Sequence, residues 1–261
     1  MSKVQQRLTM WKGRLLARPG RVTLVNFMLS YIPAYTMQTQ WLPSGTCEKL
    51  DAISQKFIWS GSDSHRMHLV KWDKITQRRK DGGLGVCVAR FKNTSLLGKL
   101  IWDLLAHPTK LWVQVIFSKY RVDNVTSLLQ LSGSYFLRSL RKAYDSLQLG
   151  FQLQLGNGHS SLWFTNWFYG TYLAPSVPFV HLQDINIRVC DVWDDGHWAL
   201  EKLYLWLSDE TKAGLQALTL CLHPNAEDVI VWSSSVNGEY TAKASYRWLC
   251  DAGVATRGTW H

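Results

Sequence analysis

Apolar residues recur at helical spacing through most of the first 150 positions of this 261-residue chain. Val4, Leu8, Trp11 and Leu15 share one face at steps of four, three and four, which predicts an amphipathic helix over residues 1–17. Arg18-Pro19-Gly20 interrupts it. Pro19 suits the first turn of a second helix carrying Val22, Val25, Leu29 and Ile32, which Pro33 kinks or ends. A third helix is expected from Ser44, an N-cap type of residue, to Trp59, with Cys47, Leu50, Ile53 and Phe57 inward and Gly61 as its stop. Turn chemistry follows in Gly61-Ser62-Asp63-Ser64 and Asp81-Gly82-Gly83-Leu84-Gly85, around the short segment 69–72. Helical periodicity returns over residues 93–105, 109–120 and 134–147, each behind a cap or breaker: Asn93 or Thr94, His107-Pro108, and Ser132-Gly133.

Beyond Gly150 the period changes to two. Residues 151–155 alternate, Gly156-Asn157-Gly158 is a hairpin turn signal, and residues 161–167 read as an aromatic-rich return strand. A loop with Pro175 and Pro178 leads to a helix expected near 198–207, and Ser208-Asp209-Glu210 opens another. A second hairpin, 228–233 with 239–241 about Asn237-Gly238, precedes a helix over 242–250. The tail from Gly253 to His261 has no pattern and reads as a truncation point. The expected class is α+β: a mainly helical part, residues 1–150, followed by a smaller part, 151–261, with two β-hairpins and helices.

Charge sharpens that division. Residues 1–150 hold 23 Lys/Arg against 8 Asp/Glu, whereas residues 151–261 hold 6 against 11, so a basic module precedes a mildly acidic one. A basic module favours polyanions, because neutralising phosphates releases counterions. Lys12, Arg14, Arg18 and Arg21 fall within ten residues, and Arg78-Arg79-Lys80 form a weaker second patch. Lys119, Arg121, Arg138, Arg141 and Lys142 fit a solubilising role on helix faces. The 5 cysteines are widely spaced and never form a C-x-x-C pair, so free thiols in a reducing compartment are expected. No apolar run approaches a membrane span, and no signal segment opens the chain.

Catalytic groupings are sparse. Two-metal chemistry needs converging carboxylates, but Asp191, Asp194 and Asp195 end in Asp195-Gly196, which is a turn signal. His65-x-x-His68 and Cys221-x-His223 lack the second half of a zinc site, and the serines after His159 lack a nucleophile-elbow pattern. No metal, cofactor or catalytic residue is therefore assigned. The glycines of Gly82-Gly83-Leu84-Gly85 permit close backbone approach, either to a phosphate or within a tight turn. Of the 14 tryptophans, Trp11, Trp102, Trp112 and Trp206 are expected in the core. Trp163, Phe164 and Trp167 are candidates for base stacking unless buried.

Several motifs occur in one order along nearly the whole chain. They are Trp11-Lys12-Gly13-Arg14-Leu15-Leu16-Ala17-Arg18-Pro19-Gly20-Arg21, Ile32-Pro33-Ala34-Tyr35-Thr36-Met37-Gln38, Phe57-Ile58-Trp59-Ser60-Gly61 and Gly82-Gly83-Leu84-Gly85. They continue with Leu155-Gly156-Asn157-Gly158, Trp163-Phe164-Thr165-Asn166-Trp167, Val231-Trp232-Ser233, Gly238-Glu239-Tyr240-Thr241 and Tyr246-Arg247-Trp248-Leu249. This order resembles the polyprotein of plant non-LTR (LINE-type) retrotransposons, in the stretch after the reverse-transcriptase palm. Ala17 and Pro19 stand where Ser and Ala are more usual, and Asn166 stands where related sequences often carry Asp.

The resemblance implies a part in target-primed reverse transcription and a nuclear or cytoplasmic location. It implies that the aromatic-Ala-Asp-Asp catalytic turn and the endonuclease precede Met1, so that this stretch alone is inactive as an RNA-directed DNA polymerase. It also implies that a Cys/His zinc-binding segment and, in some members, an RNase H domain follow His261. The basic N-terminal part corresponds to the thumb and connection, which grip an RNA or DNA duplex by its backbone, and the acidic part to the lead-in of the zinc-binding segment. The expected function is duplex binding without sequence preference through Lys12, Arg14, Arg18, Arg21, Arg78, Arg79 and Lys80. A relic of a decayed element with no selected activity, or a metal-dependent nuclease, are the competing expectations.

Overall fold

The computed structural model describes residues 16–29, 31–60, 70–122, 124–131, 133–168, 171–194 and 196–255. Its helices are α1 (Arg18–Leu24), α2 (Ala34–Met37), α3 (Ser44–Ser60), α4 (Trp72–Thr76), α5 (Ala89–Ala106), α6 (Leu111–Tyr120), α7 (Val125–Gln130), α8 (Tyr135–Leu147), α9 (Asp209–Gln216) and α10 (Ala242–Ala255). Its strands are β1 (Phe151–Gln154), β2 (Trp193–Asp194), β3 (His197–Trp198) and β4 (Val229–Trp232). The class is α+β, as the sequence predicts. Two units form: residues 1–147 with 241–261, and residues 148–240. The last helix, read from sequence as part of the acidic segment, folds with the helical unit. The helix expected over 1–17 lies outside the described residues, apart from Leu16 and Ala17.

In the helical unit, α3 runs where its pattern places it, with Cys47, Leu50 and Phe57 buried and Ile53 packed beside them. Fully burying a side chain such as Phe57 contributes about 1.5–3 kcal/mol. The second expected helix is shorter than its apolar pattern. After Leu24 the backbone widens into a π turn over Val25–Leu29, and Pro33 precedes the separate turn α2. α5 packs against α2, α3, α8 and α10, and Leu97, Ile101 and Leu104 are buried on it.

The helix begins at Ala89, four residues before the expected cap. Asn93 and Thr94 are buried inside it rather than capping it. Its first amides find partners elsewhere: Ala89 N–H donates to Asp51 Oδ1 on α3 at 3.0 Å, and Val88 N–H to the Tyr246 hydroxyl on α10 at 2.9 Å. The sequence reading passed over α7, although Asn124 caps it with a 2.7 Å hydrogen bond from Ser127 N–H.

The second unit overturns the hairpin pairings: the strands expected at 151–155 and 228–233 form, whereas residues 161–167 are turns with no strand. β1 pairs antiparallel with β4, in register Phe151 to Trp232 and Gln154 to Val229, not with residues 161–167. The reason is the Asp228 carboxylate. It accepts the amides of Gly156 at 2.7 Å, Gly158 at 2.9 Å and Ser160 at 2.8 Å, so the glycine turn wraps an anion instead of closing a hairpin. Gly158 has φ +71°, which favours glycine. The second expected hairpin also fails: its first strand, β4, is taken by β1, and residues 239–241 form no strand.

A two-residue hairpin forms instead from β2 and β3 around Gly196, φ +87°, in keeping with the turn reading of that acidic run. Asp195 lies outside the described residues. The helix expected over 198–207 is only a 3-10 turn, Leu200–Lys202, followed by irregular chain that bends at Tyr204 and Leu205. α9 is capped by Ser208, whose hydroxyl accepts Thr211 N–H. The core of this unit holds Leu162, Trp163, Trp167, Leu173, Val189, Val192, Leu207 and Leu215.

Candidate nucleic-acid interface

Packing α10 on α5 places both beside α4 and the 3-10 turn Arg79–Asp81, and a groove of about 1530 Å³ opens between them. Its lining carries eight cations, Lys74, Arg78, Arg79, Lys80, Lys92, Lys99, Lys243 and Arg247, against four carboxylates, Asp51, Asp73, Asp81 and Asp251. Two cations are already engaged. Arg78 pairs with Asp81 at 3.4 Å and with Asp251, and Lys92 rests 4.3 Å from the centre of the Tyr31 ring. Burial holds the Lys92 ammonium below its ordinary pKa. Burial also raises the Asp51 carboxyl from 3.8 to about 6, against the lowering effects of the Ala89 amide and Arg90. The other six cations, Lys74, Arg79, Lys80, Lys99, Lys243 and Arg247, are exposed, with no ion pair among the described residues.

None of the described residues lining the groove is an activated nucleophile. Burial pushes up the thiols of Cys87 and Cys250 and the Tyr246 hydroxyl, which accepts the Val88 amide. Exposed ammonium and guanidinium groups around an open groove suit phosphate oxygens, whose charge they can neutralise. The arrangement can hold a polyanion. Its described lining residues include no acid–base pair aimed at one reacting atom.

The residues singled out from sequence divide sharply. Lys12 and Arg14 lie outside the described residues. Arg18 is exposed, its guanidinium 5.4 Å from the centre of the Trp59 ring. Arg21 is 9% exposed, and it donates to the Leu16 carbonyl at 3.0 Å and toward the Trp59 carbonyl at 3.5 Å. Its role is therefore to tie α1 to the end of α3, a correction to its reading as a phosphate contact. Arg79 and Lys80 reach the groove freely, while Arg78 is neutralised there.

The glycine turn is structural. The amides of Gly82, Gly83, Leu84 and Gly85 donate to the carbonyls of Arg79, Arg78, Ile75 and Gln77, leaving none for a phosphate. Gly83 lies so close to the Gln77 carbonyl that any Cβ would collide with it.

Stacking fails for two of the three candidates. Trp163 is 0% exposed with its indole N–H on the Asp184 carbonyl at 2.8 Å, and buried Trp167 donates to the Leu162 carbonyl at 2.9 Å. Only Phe164, 51% exposed, offers a face. Trp206, expected in a core, is 86% exposed because the helix meant to bury it does not form.

Sequence reasoning missed Lys74, Lys99, Lys243 and Arg247. The faint signal was Lys243 and Arg247 four apart on one helix face, and nothing local places that face beside α4. Among the described residues no group of three or more His, Cys, Asp or Glu side chains is placed to hold a metal ion. No described helix is long and apolar enough to cross a membrane.

No protein-family model matches the chain, and no solved structure matches it. Two Arabidopsis thaliana proteins are similar to it. One, named "Uncharacterized mitochondrial protein", is 28% identical over 143 residues, 52% of this chain and 92% of its own length. The other, named "Putative ribonuclease H protein", is 30% identical over 258 residues, 95% of this chain, which spans 42% of that relative's length. The groove-bearing helical unit and the acidic unit are thus both covered by similarity to one longer plant protein named for ribonuclease H.

Proposed function

We propose that the chain is a stretch of a non-LTR (LINE-type) retrotransposon reverse-transcriptase polyprotein, and that its helical unit grips nucleic-acid duplex by the phosphate backbone. The observation that carries this is the groove between α4, α5 and α10, with six exposed cations that form no ion pair among the described residues, in a unit that holds 26 Lys/Arg against 9 Asp/Glu. The motif order and the similarity to a protein named for ribonuclease H support the same reading, since some polyproteins of this type carry that domain. The unit corresponds to a thumb and connection. It holds a primer–template by its phosphate backbone. The groove includes Arg79 and Lys80 from the sequence reading and adds Lys74, Lys99, Lys243 and Arg247, while Arg18, exposed on α1, is kept as a separate contact that is not among its lining residues.

Titrating labelled DNA, RNA and hybrid duplexes at several salt concentrations tests this. Log affinity should fall linearly with log salt, and replacing Arg79, Lys80, Lys99 and Lys243 together by Gln should flatten the slope by up to about 0.9 per lost B-DNA phosphate contact. Binding that ignores salt, or a slope unchanged in that variant, would sink the assignment.

A further inference from the structure

The second unit presents a rigid aromatic pair that its core does not use. Residues 203–207 form neither helix nor strand: Leu203 and Leu205 pack against the core and Leu207 is buried, while Tyr204 is 67% and Trp206 86% exposed. The segment is fixed from beneath. Asp184, itself 0% exposed, accepts Tyr204 N–H at 3.1 Å on one carboxylate oxygen and Leu205 N–H at 2.9 Å on the other. Its carbonyl accepts the Trp163 indole, so the clasp is anchored in the core. His181 stacks on Tyr204 with centroids 5.6 Å apart and planes 15° apart, and Leu182 beside it is 82% exposed. Holding two aromatic faces in solvent costs the fold burial it would otherwise gain, and their fixed backbone lowers the entropy lost on binding.

Charge selects the occupant. Residues 148–240 contain Arg188, Lys202 and Lys212 against 10 Asp/Glu, a net of −7. A phosphate chain would meet repulsion here, whereas an aromatic face in an acidic field attracts cations. One cation already demonstrates the contact: Lys212 Nζ sits 4.4 Å from the centre of the Trp206 ring.

We infer that Tyr204 and Trp206 form a docking surface for a Lys/Arg-rich protein segment, whose cationic side chains displace Lys212 from the Trp206 face. This surface belongs to the acidic unit and does not depend on the groove of the basic one. The ring contributes its quadrupole, the unit supplies the attractive field, and Lys212 acts as a tethered competitor.

Fluorescence anisotropy of a short labelled Arg-rich peptide on the full chain tests this, with a labelled single-stranded oligonucleotide titrated in parallel. Trp206→Ala should weaken peptide binding about fivefold and Tyr204→Ala about twofold to threefold. Lys212→Ala gives the sign that separates partners. It should tighten peptide binding about twofold, because it removes the competitor and one repelling charge. Loss of peptide affinity in Lys212→Ala, or an oligonucleotide whose binding depends on Trp206, would overturn the inference in favour of a polyanion. A Trp206→Ala chain that loses only concentration-dependent self-association would overturn it in favour of a second copy. Circular dichroism confirms folding of each variant, and Trp206→Phe, which keeps a ring, should recover most of the peptide affinity.

Discussion

The Asn93 side-chain oxygen accepts the backbone N–H of Leu42, 51 residues earlier in the chain, at 2.8 Å. The same side chain donates to the carbonyls of Met37 at 2.9 Å and Gln40 at 2.8 Å, so one buried amide satisfies three backbone groups of the α2–α3 connection. Arg90 and α8 complete the hold. Arg90 donates to the Leu42 carbonyl at 2.7 Å, Trp41 N–H donates to Ser139 Oγ at 2.9 Å, and the Tyr135 hydroxyl donates to the Trp41 carbonyl at 2.7 Å.

Removing that amide should be costly. Asn93→Ala leaves a buried N–H and two carbonyls without partners, and about 3 kcal/mol of stability should be lost. Urea unfolding should record it as a lower midpoint at unchanged slope. A loss below about 1 kcal/mol would show that water or a local shift replaces the side chain.

Asp51 should make the helical unit respond to mild acid. Its folded pKa of about 6 lies above the ordinary 3.8, because burial penalises its charged form. The folded state therefore binds the proton more tightly than the unfolded chain does. The stability of the wild type relative to Asp51→Asn should rise as pH falls through about 6 and level off below about 4. A carboxyl resonance titrating near 4, or a difference flat with pH, would contradict the burial of this group.

Asp228 should behave in the opposite sense. Burial raises its pKa, but hydrogen bonds from the Ser160 hydroxyl and the amides of Gly156, Gly158 and Ser160 outweigh that and hold it below 3.8. The stability it contributes is present above its unfolded pKa and is lost as pH falls through the folded one. Asp228→Ala should cost about 2–3 kcal/mol and release residues 156–160, detectable as faster amide exchange at Gly156, Gly158 and Ser160. Protection that survives the substitution would mean the turn holds itself.

Elements whose instructions are local were legible in the sequence, and those settled by distant partners were not. α3 and α9 carry their apolar faces and start signals within their own residues, and both form where expected. The 151–155 strand is also real, but its partner lies some 75 residues on, because Asp228 captures the glycine turn that looked like a hairpin. Asn93 has the chemistry of a helix cap and serves as a tertiary clamp. The basic site was half visible for the same reason: Arg79 and Lys80 announce themselves as a run, while Lys243 and Arg247 join them only once α10 packs on α5.

The run of cations near the N-terminus makes the sharpest remaining test, because Arg18 and Arg21 are three residues apart with opposite environments. Arg18 is exposed, and Arg21 is buried against the Leu16 and Trp59 carbonyls. Arg21→Ala strips a buried charged donor from the α1–α3 contact, so about 2–3 kcal/mol of stability should be lost. The salt slope of duplex binding by the folded protein should stay the same. Arg18→Ala removes only a solvated charge and a cation–π contact, so stability should change by about 1 kcal/mol or less. Measured side by side, a slope that falls with Arg21→Ala would return that residue to the phosphate-binding set. A stability loss with Arg18→Ala matching that of Arg21→Ala would make the Trp59 contact structural rather than incidental.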